Sequence, residues 1–570
     1  MQMHYRRKTK VASMLALLLF VAGTTTAWSA GNTQSDIAVA GDSTEESAAS
    51  APEQETPEQV SPEQEIQEQA APAATASEPP PGDQTTESPA GSEQDSDADK
   101  VEVLEESFNP VNWLVYKPLW GLSNLVGDFN PIGKYISAPL EEKYPGLRIK
   151  GFLNSITQIN TTSNRDAEGL GGRKKDWRLQ KQEIRAQLEI KYQASDNIEL
   201  VSVNNYQYDG AYDLQNSDGL YRDGSSNQVM YSQGKRIFRE AYVRGNYGKV
   251  NFTLGKQIIN WGKMDGKVID IVNAEDTRDV VDFHKGDYEW RAIGQWMGYL
   301  SLRPTDNFTL SLVANPDFQP NTGPAYGSPY WYPWAASAKK NTTKEKKPSG
   351  LDRVQDMELG LRADATLGAL SLSGIYYYGF DRNAVYSPNQ EALIHTRLHK
   401  FGYAADYATN ILGQRLVFRS EGLYTRHKAY ANSGVQGGIS KNDVLKIAAA
   451  VETSIFSDEN KIDILYQPSW TRQIDYDKRT GTLRNDILHV INLSHSVRKT
   501  NDRLTLSTTA YISGGSVYSG LSYNVSAGWK FNDYLKATLA YNDYQGQDAD
   551  IPWGAYNKWK NVTLDVKYEF

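Results

Sequence analysis

The chain ends on Lys560–Phe570, KNVTLDVKYEF. Alternate positions of its last ten residues form two sets, with Val562, Leu564, Val566, Tyr568 and Phe570 on one side and Asn561, Thr563, Asp565, Lys567 and Glu569 on the other. A period of two belongs to an extended strand whose faces meet unlike surroundings. A strand at the end of a chain also has a free edge that needs a partner. The nearest two-faced partner at the other end of the patterned region is the stretch from Leu147 to Thr161.

Between these ends the period of two hardly breaks. Segments of roughly 9 to 16 residues alternate apolar and polar positions, and the connections between them come in two kinds. Short ones fall at ASDN near 194, NYGKVN near 246, RPTDN at 303, TLGAL at 366, TNILG at 409, SDEN at 457, RKTND at 499 and FNDY at 531. Longer polar ones fall between them, at about 162–177, 210–234, 261–289, 319–353, 380–389, 429–442, 476–482, 514–517 and 545–556. Alternating short turns with long loops, and placing both ends of the sheet on the short-turn side, is the pattern of a closed outer-membrane barrel. Sandwiches and propellers give no reason to sort loops by length. The expected fold is therefore all-β, a transmembrane antiparallel β-barrel of about eighteen strands over residues 146–570, sixteen being the other count the boundaries allow.

The faces fix which side meets lipid. In EIRAQLEIKY, Ile184, Ala186, Leu188 and Ile190 oppose Arg185, Gln187, Glu189 and Lys191; in KIAAAVETSI, Ile447, Ala449, Val451 and Ile455 oppose Lys446, Ala448, Ala450, Glu452 and Ser454. A Lys or Arg against lipid at mid-depth costs about 2–4 kcal/mol, so charged faces look inward. The expected lumen is polar and carries both signs, with Arg185, Glu189, Lys191, Glu240, Arg244, Lys446, Glu452, Lys536, Asp565 and Lys567 as pore-lining candidates. One strand breaks phase. In LGKQIINWGK, Lys256 falls among Val250, Phe252, Leu254 and Ile258, and a bulge near Gly255 is the favoured reading over a snorkelling lysine.

Composition supports the barrel. The chain has 35 Tyr, 13 Trp and 45 Gly but only 15 Phe and no Cys, and its mean hydropathy is negative. Tyr and Trp favour boundaries where a ring is buried and a polar atom hydrated. The first 30 residues read as a secretory signal, with Arg6, Arg7, Lys8 and Lys10 before VASMLALLLFVAG and then small residues. No later run is long and apolar enough for a spanning helix. Lack of cysteine excludes disulfides, a covalent c-type haem and a lipoprotein anchor. Residues 31–100 carry 17 acidic residues against Lys100 alone, with PEQ recurring at Pro52, Pro57 and Pro62. Such a composition predicts a disordered tether, a candidate recruiter of a periplasmic partner. Outside signal and tether, 55 basic residues face 52 acidic ones. This near-balance offers no basic patch for nucleic acid.

Residues 101–145 mix helical spacing with Pro110, Pro118, Pro131 and Pro139. One or two short amphipathic helices are expected, with Trp113, Leu114, Trp120, Leu122 and Leu125 on the apolar side; they would plug the cavity, lie on a membrane surface or pack on the neighbouring domain. The long loop NWGKMDGKVIDIVNAEDTRDVVDFHKGDYEW supplies Trp261, Asp265, Asp270, Asn273, Asp276, Asp279 and Asp282 as constriction candidates, since long barrel loops fold inward to narrow pores. Its carboxylates match no calcium-loop spacing and also suit ordinary turns. A second loop joins Tyr326, Tyr330, Trp331, Tyr332 and Trp334 to Lys339, Lys340, Lys344, Lys346 and Lys347, a mixture suited to sugar or lipopolysaccharide contact or to a girdle with a solvated tip.

Catalysis has little support. His395 and His399, read as one strand face, would stand about 13 Å apart, too far for one metal. His489, Ser494 and His495 form no triad that spacing can place. No enzyme activity, metal or cofactor is expected.

LGKQIINWGKMDGKVIDIVNAEDTRD followed by LSLRPTDNFTLSLVANPDF resembles a Gly-Arg-Gln, Trp-Gly, Asn-Pro-x-Asp motif of proteins in the domain of unknown function 1302 family. Gly255, Gln257, Trp261, Gly262, Asn273 and Asp276 are the matching positions, with Lys256 for the Arg and NAED where Asn-Pro stands. The resemblance implies an outer-membrane barrel, a link to transport of lipid-like or other poorly soluble compounds, and no catalytic residues. The terminal Phe570 is similar to the signal read by the outer-membrane assembly machinery. The sequence thus points to a channel or transporter for small solutes in the outer membrane of a Gram-negative bacterium, in contact with lipid and lipopolysaccharide. Two alternatives stand: a hydrophobic-compound transporter gated by the 101–145 helices, and a structural or docking barrel. Solute and oligomeric state stay open.

Overall fold

The computed structural model describes residues 116–162, 177–214, 237–264, 268–286, 288–323 and 344–570, the last with short gaps at 412, 433, 457–460, 481, 483, 515–518, 547–552 and 558. The signal, the tether, Trp113, Leu114, Asp265 and the second loop from Tyr326 to Lys340 lie outside the described residues.

Among the described residues one sheet of eighteen strands closes on itself. They are β1 (Leu147–Asn160), β2 (Arg178–Ser195), β3 (Ile198–Asp209), β4 (Phe238–Tyr247), β5 (Val250–Gln257), β6 (Gln295–Thr305), β7 (Phe308–Asn315), β8 (Glu358–Leu367) and β9 (Leu370–Phe380). The second half holds β10 (Arg397–Ile411), β11 (Gln414–Ala431), β12 (Ile439–Ile455), β13 (Ile462–Ile474), β14 (Asn485–Ser496), β15 (Leu504–Gly514), β16 (Ser519–Lys530), β17 (Leu535–Gln545) and β18 (Asn561–Glu569). Each pairs antiparallel with its sequence neighbour, and β18 pairs with β1 from Phe152↔Glu569 to Asn160↔Asn561. The closed antiparallel barrel expected from the sequence is the observed fold, with eighteen strands among the described residues and not sixteen.

The short connections gather at one end. Asp196–Asn197, Gly248–Lys249, Asp306–Asn307 and Gly368–Ala369 are two-residue turns, where Gly248 and Gly368 take φ of +64° and +61° that a side chain would oppose. At the other end, the loop expected at 380–389 runs on to Thr396. Val385–Ser387 there pairs with Ala392–Ile394, which pairs in turn with Glu345–Lys346. His395 therefore precedes β10 and does not share its face with His399.

Exposure separates the faces as expected. Leu153, Ile184, Leu188, Leu200, Leu312, Leu361, Phe401, Phe418, Leu539 and Leu564 stand exposed on the outside, while Gln158, Glu183, Arg185, Asn205, Glu421, Asn542 and Thr563 are buried on the inside. The bulge expected near Gly255 is absent, because β5 keeps unbroken register with β4 and β6. Nor does the phase change: Lys256 stands opposite the exposed Trp296, on the outward parity of Leu254, and Gln257 opposite the buried Gln295, yet both Lys256 and Gln257 are buried. The Lys256 ammonium donates to the Phe238 carbonyl at 2.6 Å.

Phe570 completes the closure. Its backbone exchanges hydrogen bonds with Gly151, each 3.0 Å, and its ring lies where a Gly151 side chain would stand: a Cβ there would meet the Phe570 ring at 2.5 Å and the Gln187 carbonyl at 2.3 Å. Gly151→Val is therefore expected to lower the yield of folded barrel sharply, read as the fraction that resists unfolding by SDS without heating. A wild-type yield would contradict this packing.

Candidate functional site

Of the 37 residues between β5 and β6, 258–294, the described ones fold into the barrel and reach both walls. Gly255 and Gly294 flank the loop, and both pass against β4: a Cβ on Gly255 would lie 2.4 Å from the Ala241 carbonyl, and one on Gly294 would lie 1.9 Å from the Arg239 carbonyl. Only glycine lets the chain leave and rejoin the wall so closely.

The first part of the loop is stapled to itself. One Asp270 carboxylate oxygen accepts from the backbone N–H of Trp261 and Gly262, each at 2.6 Å, and Asn273 exchanges two bonds with the Ile259 backbone, at 3.1 and 2.8 Å. Gln257 anchors the start by donating to the Met297 carbonyl at 2.9 Å. Thus the Gly255, Gln257, Trp261, Gly262 and Asn273 pattern noticed in the sequence builds the root of an inward loop.

This stapled part docks on β8–β13. Glu421 accepts from the backbone of Lys263, Met264 and Val268 at 2.6, 3.0 and 3.1 Å. Arg362 donates to the Trp261 carbonyl, and Arg382, paired with Glu358 at 2.8 Å, donates to the Val272 carbonyl at 2.6 Å. Ile259, Trp261, Met264, Val268, Ile269, Ile271 and Val272 pack with Ile375, Tyr377, Ala404, Ala448, Ala450 and Leu465 of the inner wall. An apolar patch is thus set into the polar, charged lumen expected from the sequence. Ala448 and Ala450 share a face with Lys446 and Glu452 because small residues leave room for the loop.

The later part docks on the opposite wall. Lys181 of β2 donates to Asp282 at 2.7 Å and Asp279 at 2.9 Å and lies 3.1 Å from Glu183. Arg185 pairs with Glu183 at 2.5 Å and reaches Asp279 at 3.5 Å, Gln158 of β1 donates to Asp282 at 2.8 Å, and His284 lies 3.5 Å from Asp565 of β18. Strands β1 and β2 stand about half a circuit from β10 and β11 in the eighteen-strand ring. The loop therefore spans the lumen. Burial pushes the Asp279 carboxyl up; at Asp282 burial also opposes charge, but Lys181 outweighs it and holds the carboxyl well below the usual range.

Lys285 is the loop group whose shift falls near neutral pH. Burial, with Arg291 nearby, lowers its ammonium from 10.5 to about 7, and it donates to the Val280 carbonyl at 2.7 Å. An undocked loop would bind more protons than a docked one between about pH 7 and 10, so docking strengthens as pH rises through that window and is weakest below it. Conductance recordings are expected to show more loop opening at pH 7.5 than at 9.5, and Lys285→Met should remove the difference. An unchanged difference in that variant would contradict the assignment.

The remaining candidates fall in place unevenly. Arg185, Asp270, Asn273, Asp276, Asp279, Asp282 and Trp261 hold the loop and do not project as free pore groups; Asp276 binds Arg278 at 2.8 Å. Glu189 pairs with Lys191 at 2.5 Å, Arg244 with Glu199 at 3.1 Å, Glu240 with Arg239 at 2.8 Å, and Glu452 with Arg419. The Lys567 ammonium lies 4.8 Å over the Phe152 ring, and Lys446 and Lys536 share the inward parity. Ser494 alternates to the opposite face from His489, which stacks on Tyr466, and the Nδ1 of His495 lies 2.8 Å from the Lys461 carbonyl. His395 meets Glu345 at 3.0 Å, while the Nδ1 of His399 lies 2.9 Å from the Tyr376 hydroxyl. Among the described residues no group of three His, Cys, Asp or Glu side chains is placed to hold a metal ion. Sequence reasoning missed Lys181, Glu183, Glu358, Arg362, Arg382 and Glu421; all but Arg382 are charges on strand positions of inward parity.

A family model described as "Protein of unknown function (DUF1302)" matches residues 12–411. No curated protein matches the chain. Among solved structures, the chain is similar to OccAB3 of Acinetobacter baumannii at 8% identity and TM-score 0.44, covering 74% of this chain and 99% of that one. It is similar to OccK2 (OpdF) of Pseudomonas aeruginosa, in complex with glucuronate, at 8% identity and TM-score 0.45, covering 75% and 98%. It is also similar to OmpF of Salmonella typhi, in complex with daunomycin, at 10% identity and TM-score 0.35, covering 74% and 97%. The closed strand order, not these likenesses, carries the fold.

Proposed function

The chain belongs to the family described as protein of unknown function (DUF1302), and from that premise we propose that it is a porin-like channel of a Gram-negative outer membrane, passing small polar solutes through a lumen narrowed by its inward loop. The observation that carries this reading is the seating of residues 258–294 across the barrel, clamped by Glu421 on one wall and Lys181 on the other. A barrel whose only task was docking would have no need of a loop built into its interior. Passage would be set by the width left beside the loop and by the inward charge pairs, Arg244–Glu199, Glu189–Lys191 and Arg419–Glu452, and not by bond chemistry.

The hydrophobic-compound reading has less support. The apolar side chains inside the barrel are packed against one another and buried, and helices 117–126 and 138–143 make their contacts outside the lumen, as described below. Swelling of proteoliposomes in isotonic solutions of small sugars and of singly charged organic acids tests the proposal. Swelling that slows with solute size is expected. No swelling with any polar solute, together with uptake of an alkane or fatty-acid probe, would overturn it in favour of the alternative.

A further inference from the structure

Two helices lie at the short-turn end of the barrel wall, α1 (Lys117–Val126) against the outer face of β16 and α2 (Ala138–Lys143) against β1, with the segment between them on β18. Trp529 and Tyr568 belong to outward parity, the side on which Leu539 and Leu564 are exposed. The Trp120 and Trp529 rings meet edge to face at 6.0 Å. The Trp529 indole donates to the Ser123 hydroxyl at 2.8 Å, and the Arg503 guanidinium lies 4.7 Å over the Trp120 ring. Farther along, Asn532 donates to the Gly127 carbonyl at 2.8 Å, the Tyr568 hydroxyl donates to Asn130 at 2.8 Å, and Glu141 accepts from the Ile149 backbone at 2.6 Å. These bonds fix the helices to the barrel from outside.

At about 100° per residue, α1 divides into three stripes. Leu119, Trp120, Ser123 and Val126 face the barrel. Lys117, Gly121 and Asn124 form a polar stripe. Leu122 and Leu125 form a third, 48% and 83% exposed, and Phe129, Ile136, Leu140 and Tyr144 are further exposed apolar side chains beyond the helix. A soluble rim helix needs two stripes, one packed and one wet. The third is apolar and exposed like the outward side chains of the barrel wall, and leaving it in water would cost roughly 25 cal/mol per Å².

We propose that residues 117–144 form an interfacial collar whose third stripe is buried among the acyl chains of phospholipid in the leaflet facing the periplasm, with Lys117, Lys134 and Lys143 at headgroup level. The short turns and both ends of the sheet gather at this end, which selects the phospholipid leaflet over the lipopolysaccharide one. The proposal rests on the outer-membrane reading and is independent of conduction.

The chain has no cysteine, so single sites can be labelled in the full barrel. Leu125→Cys, Asn124→Cys and Leu539→Cys, each carrying the same environment-sensitive fluorophore, are reconstituted in phosphatidylethanolamine–phosphatidylglycerol vesicles. Quenching is then read with shallow acyl-nitroxide lipid and with aqueous iodide. The collar predicts at least a threefold preference for the nitroxide at Leu125 and for iodide at Asn124, one residue away. A Leu125 probe as open to iodide as the Asn124 probe, beside a lipid-quenched Leu539 probe, overturns the collar alone. A Leu539 probe open to iodide would overturn the membrane barrel itself.

Discussion

Lys181→Ala is expected to release the inward loop from the β1–β2 wall. The substitution leaves Asp282 buried without its lysine, while Asp279 and Glu183 keep only Arg185, and breaking such a cluster by removing one partner costs about 3–5 kcal/mol. At about 1.4 kcal/mol per factor of ten, the docked-to-undocked ratio should fall by two orders of magnitude or more. Single-channel traces should then show large, noisy openings, and protease should cut within residues 279–291. The double variant Lys181→Met with Asp282→Leu removes the charge from both sides of the closest pair and should recover part of the docking, because apolar replacement of a buried pair is near neutral. Quiet traces in Lys181→Ala would mean that the β8–β13 clamp holds the loop by itself.

Gly294→Val and Gly255→Val should act earlier, on assembly. Each added Cβ would enter the space of a β4 backbone carbonyl, Arg239 at 1.9 Å and Ala241 at 2.4 Å. A backbone atom cannot swing aside as a flexible side chain does, and Gly255 also holds φ +134°, so the cost at both sites exceeds that of ordinary overpacking, which is about 1–3 kcal/mol. The expected result is nearly complete loss of the SDS-resistant form. Substitution at Gly374, where a Cβ meets nothing within 4 Å, should leave it unchanged. Equal loss at Gly374 would show that the assay reports glycine content and not the contact with β4.

These effects show how far the sequence could be read. Strand count, loop ends and the closing pair were legible because period two and loop length are local signals, and KNVTLDVKYEF carries both faces within ten residues. The clamps were not, because their partners are distant in the chain: Glu421 and Lys263 are separated by 158 positions, and Arg382 and Val272 by 110. A local hint was nonetheless present. Val268, Ile269, Ile271 and Val272 form an apolar run inside a loop otherwise rich in Asp, and such a run needs a dry partner. Its partner, Ala448 and Ala450, stood in the sequence as small residues on a face otherwise charged. Lys256 misled for a related reason: a lysine among apolar positions looks the same whether a bulge turns it inward or, as found, it keeps its outward register and is buried with its ammonium on the distant Phe238 carbonyl. For the helices, two-stripe reasoning could place Trp120 and Leu125 only on one apolar side, whereas the barrel takes the first and leaves the second exposed.

Residues 258–294 are proposed as the constriction of a conducting barrel. The most direct test is planar-bilayer conductance of the whole chain beside a variant in which residues 263–290 are replaced by a short Gly-Ser link. Small discrete steps are expected from the whole chain and steps several-fold larger from the variant, both with the SDS-resistant fold intact. Silence from both folded proteins, or steps of equal size, would contradict the proposal.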